Sequence, residues 1–184
     1  MRLLILLTFI CGVFTIVSGC LSAAEISKEM ANKYYNNCIT KQSAQKLSQE
    51  SQGNLCACTA SNMMETMTTD DIRAMSNQRD PETARQALNY MLVNVYAPCM
   101  EYPAKDHYFS TCLSDPKTKD LGQDPANICG CMADKIASHL SQNGKEQFKE
   151  ILSRNPNITD PMGALEQDSE FQKYVSQQVL GCVL

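Results

Sequence analysis

Apolar side chains recur every three or four residues along most of this chain and almost never alternate, which is the periodicity of helices and not of strands. From Glu25 to about Ser48 the apolar positions are Ile26, Met30, Tyr34, Cys38 and Ile39, set among Lys, Asn, Gln and Ser, and they predict a first helix. From Leu55 onward Cys56, Ala60, Met63, Met64 and Met67 fall on one face of a second. Thr68-Thr69-Asp70-Asp71 approximates a capping box, with Asp in place of the usual Glu, and opens a short helix through Met75. Asp80-Pro81-Glu82 joins an N-cap carboxylate to a proline at the first helical position. The helix it starts is expected to reach about Tyr96 and to stop before Pro98.

The same punctuation returns later. Asp124-Pro125 opens a helix running through Cys131 to about Leu140, and Asn143-Gly144 is expected to end it. Asp160-Pro161 opens a short helical turn. A last helix near Asp168 to Cys182 carries Phe171, Tyr174, Val175 and Val179 on one stripe. No long alternating run of Val, Ile and Thr is present, so the fold class is all-α.

Landmarks repeat in order. Tyr34-Tyr35-Asn36-Asn37-Cys38-Ile39 matches Tyr108-Phe109-Ser110-Thr111-Cys112-Leu113, and Cys56-x-Cys58-x-Ala60 matches Cys129-x-Cys131-x-Ala133. Each unit then closes with one cysteine, Cys99 or Cys182, near the end of an apolar stretch. The intervals are 18, 2 and 41 residues in the first unit and 17, 2 and 51 in the second. The expectation is two tandem disulfide-stapled helical modules related by an internal repeat, residues 25–103 and 104–184.

Residues 1–24 read as a secretory signal: Arg2, an apolar run from Leu3 to Val17, then the small residues of "SGCLSAA". The run falls short of the roughly 20 residues that span a bilayer. Two cleavage points compete. Ser22-Ala23-Ala24 suits cutting before Glu25. Val17-Ser18-Gly19-Cys20 resembles a bacterial lipobox, which would leave Cys20 lipidated and the protein tethered to a membrane.

Cysteine usage points to the same compartment. Of ten cysteines, Cys11 and Cys20 belong to the leader, and eight remain: Cys38, Cys56, Cys58, Cys99, Cys112, Cys129, Cys131 and Cys182. An even set in an exported chain reads as a disulfide framework. Two side chains two positions apart on a helix diverge by about 200°, so a helical Cys-x-Cys bonds two neighbours, one to the preceding helix and one to the following helix. Helix phase leaves open which member takes which; Cys38–Cys56 with Cys58–Cys99, and Cys112–Cys129 with Cys131–Cys182, is the preferred arrangement.

That divergence also argues against a metal cage, as does the absence of ligand spacing at His107 and His139, the only histidines. Soft Cu(I) ligation by Cys-x-Cys with Met63, Met64, Met67 and Met132 is therefore the minor reading. Neither Cys-x-x-Cys beside a βαβ pattern nor a hydrolase motif is present. The chain carries a net charge of −4, or −5 once Arg2 leaves with the signal, with no basic stripe, which argues against nucleic-acid backbone binding. Asn157-Ile158-Thr159 is a glycosylation sequon, relevant only to a eukaryotic secretory route.

Recognition by a surface remains. Tyr96, Tyr102, Tyr108 and Phe109 crowd into "YAPCMEYPAKDHYF", residues 96–109, at the junction of the units. This stretch reads either as a linker pinning two modules together or as a groove that binds a peptide, protein or small ligand.

"CACTASNMMETMTTDDIRAM" and "CGCMADKIASHLSQNGKEQF" resemble a motif of small uncharacterised exported bacterial proteins. The resemblance implies an α-helical, disulfide-bonded periplasmic protein and no activity. The functional expectation is a non-enzymatic periplasmic or secreted scaffold without a cofactor. It would bind another envelope or extracellular protein, an envelope-enzyme inhibitor being one such role. The alternative is a small-ligand or copper carrier.

Overall fold

Carboxylates placed before prolines decide where several of the helices begin. The computed structural model describes residues 23–42, 47–119 and 124–183, so residues 1–22 of the signal segment, with Cys20, lie outside it. Its helices are α1 (Lys28–Gln42), α2 (Gln49–Thr66), α3 (Thr69–Met75), α4 (Pro81–Met91), α5 (Glu101–Ser114), α6 (Pro116–Lys119), α7 (Pro125–Arg154), α8 (Pro161–Gln167) and α9 (Ser169–Val183). A π-turn (Leu92–Tyr96) and a 3₁₀ turn (Ala97–Cys99) join α4 to α5. The described residues contain no strand beyond an isolated bridge between Glu25 and Thr68, so the chain is all-α.

The caps explain the starts. Asp80 accepts from Thr83 N at 3.1 Å, Asp124 from Ala126 N at 3.0 Å and Asp160 from Gly163 N at 3.1 Å, each followed by proline at the first helical position. Each carboxylate satisfies an amide that the helix cannot. Thr68 and Asp71 complete a reciprocal box: Asp71 N donates to Thr68 Oγ1 at 3.3 Å, and Thr68 N to Asp71 Oδ2 at 2.8 Å.

Three boundaries differ from the periodicity, each for a local reason. Helix α2 begins at Gln49, before Leu55, because Ser48 Oγ accepts from Ser51 N at 3.1 Å and caps it. The stretch 96–109 is helical at every residue but Met100. Pro98 sits at the second position of the 3₁₀ turn and Pro103 at the third of α5, where a missing N–H costs nothing. The helical path therefore passes through both prolines, widened once where Ala97 N–H donates to Leu92 O. Helix α7 runs 30 residues, straight through Asn143-Gly144. Gly144 is no terminator: a Cβ there would lie 2.5 Å from the carbonyl oxygen of Ala97. Glycine lets the α7 backbone touch the 3₁₀ turn.

Four disulfides tie these elements: Cys38–Cys56 (α1 to α2), Cys58–Cys99 (α2 to the 3₁₀ turn), Cys112–Cys129 (α5 to α7) and Cys131–Cys182 (α7 to α9). Helices α2 and α7 are thus each stapled on two sides. Closing loops of 17 to 51 residues stabilises by about 3–4 kcal/mol per bridge in the chain-entropy model. Four such bonds place the protein in an oxidising environment outside the cytosol, and no helix among the described residues is long and apolar enough to cross a membrane.

Two apolar clusters form the interior. The larger gathers Leu92, Val93, Ala97 and Met100 with Met132, Ile136, Leu140, Phe148, Leu165 and Phe171. The smaller holds Ile26, Ala31, Met63, Met67 and Val95. The π-turn serves both, Leu92 and Val93 facing one and Val95 the other. A division at 103/104 falls inside α5, and the larger cluster draws side chains from both sides of it. The two four-cysteine segments therefore share a core.

Candidate binding groove between α2, α5 and α7

Helix α5 holds two neighbours through charged side chains. Asp106 Oδ2 accepts from Ser48 N at 2.6 Å, clamping the start of α2. Lys105 Nζ lies 2.6 Å from Asp134 Oδ1 on α7. Between the three helices a groove of about 490 Å³ remains, reaching from Glu50 and Asn54 on α2, past Glu101 and Tyr102, to Ser138 and Gln142 on α7. Each wall is disulfide-bonded: α2 through Cys56 and Cys58, α5 through Cys112, α7 through Cys129 and Cys131.

The lining is acidic. Glu50, Glu101, Asp106 and Asp134 face one cation, Lys105. Asp134 holds that ammonium charged, with Glu50 and Asp106 adding to the effect, and its pKa rises above the usual lysine value. Among the described residues neither Glu50 nor Glu101 has an ion-pair partner. Burial, then the Glu101 carboxylate, push the Tyr102 hydroxyl upward, so it stays protonated and able to donate. The groove thus offers spare carboxylate charge beside an aromatic ring, a pairing suited to a cation.

Of the four aromatic residues nominated from sequence, only Tyr102 lines this groove. Tyr96 bridges the two clusters, packed inside, and its hydroxyl accepts from Tyr34 at 2.8 Å; burial holds its pKa well above the ordinary tyrosine value. Tyr108 is buried edge-on to Phe171 and His107, and burial pushes its hydroxyl up to about 12. Phe109 shares Tyr102's side of α5 but sits two turns on, exposed at the surface. The aromatic cluster does not converge because a helical step of about 100° sends Tyr108 inward, about 120° round from Tyr102. The acidic residues escaped sequence reasoning because they come from three helices. The one signal was i,i+4 spacing: Glu101 with Lys105, Tyr102 with Asp106, Asp134 with Ser138.

All eight cysteines named above are disulfide-bonded, and no three His, Cys, Asp or Glu side chains among the described residues are placed to share one metal ion. Compared with protein-family models, curated proteins and solved structures, the chain matches none.

Proposed function

We propose that this is an exported, non-enzymatic helical scaffold that binds a basic segment of another envelope or extracellular protein in the α2–α5–α7 groove. One observation carries the reading: a groove whose three walls are disulfide-braced is lined by four carboxylates against one lysine. Rigid walls lower the ordering cost of binding, and unpaired carboxylates both steer and hold a cationic partner. Occupying a basic segment of an envelope enzyme would make the protein an inhibitor. Residues 1–24 would supply export to the periplasm or beyond. If processing follows the lipobox, Cys20 would supply a lipid tether, which the intact mass of the mature protein would reveal. No observation favours the carrier alternative, whose soft ligands would be thiolates that the disulfides consume.

Titration of the oxidised protein with oligolysine and oligoglutamate peptides tests the reading. Oligolysine should bind, with affinity falling as salt rises. Two exposed charge pairs at roughly 0.2–1 kcal/mol each predict a two- to thirtyfold loss in a Glu50→Gln/Glu101→Gln variant, and Tyr102→Ala should weaken binding without moving the melting temperature. Equal affinity for both peptides, or affinity untouched by these changes, would refute it.

A further inference from the structure

The four bridges differ in how their sulfurs are placed. Cys56, Cys99 and Cys129 are each 0% exposed, one to a bridge, whereas Cys131 and Cys182 are both partly exposed. In thiol–disulfide exchange a thiolate attacks one sulfur while the other leaves as a thiolate. In the first three bridges one of those two sulfurs must be an interior one. Either the nucleophile cannot reach it, or a thiolate has to form away from water, which burial disfavours. Asn62 Nδ2 covers the Cys58–Cys99 bridge further, donating to Cys99 Sγ at 3.2 Å. Cys131–Cys182 escapes both obstacles.

A cation stands beside this bridge. Lys135 lies one turn beyond Cys131 on the same face of α7. Its Nζ donates at 3.1 Å to the carbonyl oxygen of Gly181, in the peptide bond that leads into Cys182. An ammonium so placed favours a cysteine thiolate. The two sulfurs are not equivalent. Cys131 is in the second turn of α7, toward the positive end of a 30-residue helix, and Cys182 is in the last turn of α9, among carbonyls that disfavour negative charge. Cys131 is therefore the better leaving group. What the bridge holds is the end of α9, a helix that buries only Phe171, in its first turn. Beyond Tyr174, whose hydroxyl donates to Lys135 O at 3.2 Å, its apolar side chains Val175 and Val179 are only partly buried against the larger cluster.

We propose that Cys131–Cys182 is an exchange site for a dithiol oxidoreductase of the compartment this protein occupies, with Lys135 as a positioning residue that favours the leaving thiolate. The partner's thiolate attacks Cys182 Sγ. An intermolecular S–S bond forms, the Cys131–Cys182 bond breaks, and its electron pair leaves on Cys131 as a thiolate. The partner's second thiol gives up its proton to water and displaces Cys182, which leaves as a thiolate in turn. The partner is oxidised to a disulfide by two electrons, this chain gains two thiols, and the end of α9 is released. The other three bridges stay closed, so α2, α5 and α7 remain tied.

Dithiothreitol and glutathione, as dithiol and monothiol probes on the oxidised protein, test this by acid quenching, alkylation and peptide mass mapping. With dithiothreitol the Cys131–Cys182 bridge should open roughly tenfold faster than any other. With limiting glutathione the trapped mixed disulfide should sit on Cys182. Lys135→Gln should slow opening by dithiothreitol about threefold without changing the other bridges, and Lys135→Arg should restore the rate. A lysine that merely fastened α9 to α7 would have the opposite effect, its loss loosening the helix end, so faster opening in Lys135→Gln would overturn the proposal. Once the bridge is open, amide exchange should quicken in residues 176–183 and not in α5. Equal opening rates for the four bridges, or glutathione found chiefly on Cys131, would also overturn it.

Discussion

Gly144→Ala should destabilise this protein, although alanine ordinarily improves the middle of a helix by about 0.8–1.0 kcal/mol over glycine. The new Cβ would sit 2.5 Å from Ala97 O and 3.3 Å from Ala97 C. Both atoms belong to backbone, so no rotamer change relieves the contact. Nor does the 3₁₀ turn move freely, since Pro98 restricts it and Cys99 is bonded to Cys58. Overpacking costs typically about 1–3 kcal/mol, and an immovable neighbour puts this site in the upper half. Subtracting the propensity gain leaves a net loss of about 1–2 kcal/mol. Gly130 is the control: it lies in the same helix with nothing within 4 Å of its added Cβ, so Gly130→Ala should stabilise by about 0.8–1.0 kcal/mol. Urea unfolding of the oxidised proteins, followed by circular dichroism, measures both. Shifts of the two variants in the same direction would refute the close-approach argument.

Other predictions draw on separate parts of the structure. Asp168 is 6% exposed, accepts from Phe171 N at 3.0 Å and Gln147 Nε2 at 3.2 Å, and pairs with Arg154 at 2.6 Å. Asp168→Ala removes a cap and charge-assisted bonds together and should cost about 2–4 kcal/mol in the same unfolding assay. Burial against Tyr174 and Phe171 lowers the His139 pKa below its usual value, partly offset by a hydrogen bond that the ring donates to Gln147. The unfolded chain therefore takes up this proton first, and stability declines as pH falls through about 6.5. His139→Phe should flatten that part of the urea-midpoint profile between pH 7.5 and 5, whereas an identical profile would contradict the burial effect. Cys56, Cys99 and Cys129 are fully buried, one in each of three bridges, but Cys131 and Cys182 are both only half-buried. Mild reduction with differential alkylation should label Cys131 and Cys182 first; labelling that begins at Cys38–Cys56 would oppose this.

What could be read in advance was local. The Asp-Pro starts at residues 80, 124 and 160 and the Thr68–Asp71 box depend on side chains within three positions of the backbone they satisfy, so sequence order carries the signal. Pairing within each Cys-x-Cys is similarly local, since helix phase alone forbids the two sulfurs from meeting. Gly144 misled because glycine has two uses in helices, ending them and admitting a neighbour, and only the position of Ala97 distinguishes them. Pro98 and Pro103 misled because proline is harmless in a first turn, and two such turns in succession are not visible as periodicity. The acidic groove was illegible for a stronger reason: Glu50, Glu101 and Asp134 meet only after three helices are packed.

The disulfide pattern and the groove follow from one division of labour in the chain. Every helix that carries a cysteine is covalently tied, α2 to α1 and to the 3₁₀ turn that leads into α5, and α7 to α5 and α9. The groove among α2, α5 and α7 is therefore preorganised, and binding there spends little on ordering the walls. Helices α3 and α4 contain no cysteine and bury a single residue, Ala87, between them, α4 being tied to its neighbours by hydrogen bonds from Asn89 to Pro156 O and from Tyr90 to Thr66 O. Few buried contacts mean a low local opening free energy. The α3–α4 corner is thus loosely held, and amide exchange should be faster in residues 69–91 than in α7. Protection of residues 69–91 equal to that of α7 would show that the corner is as firmly held as the braced core.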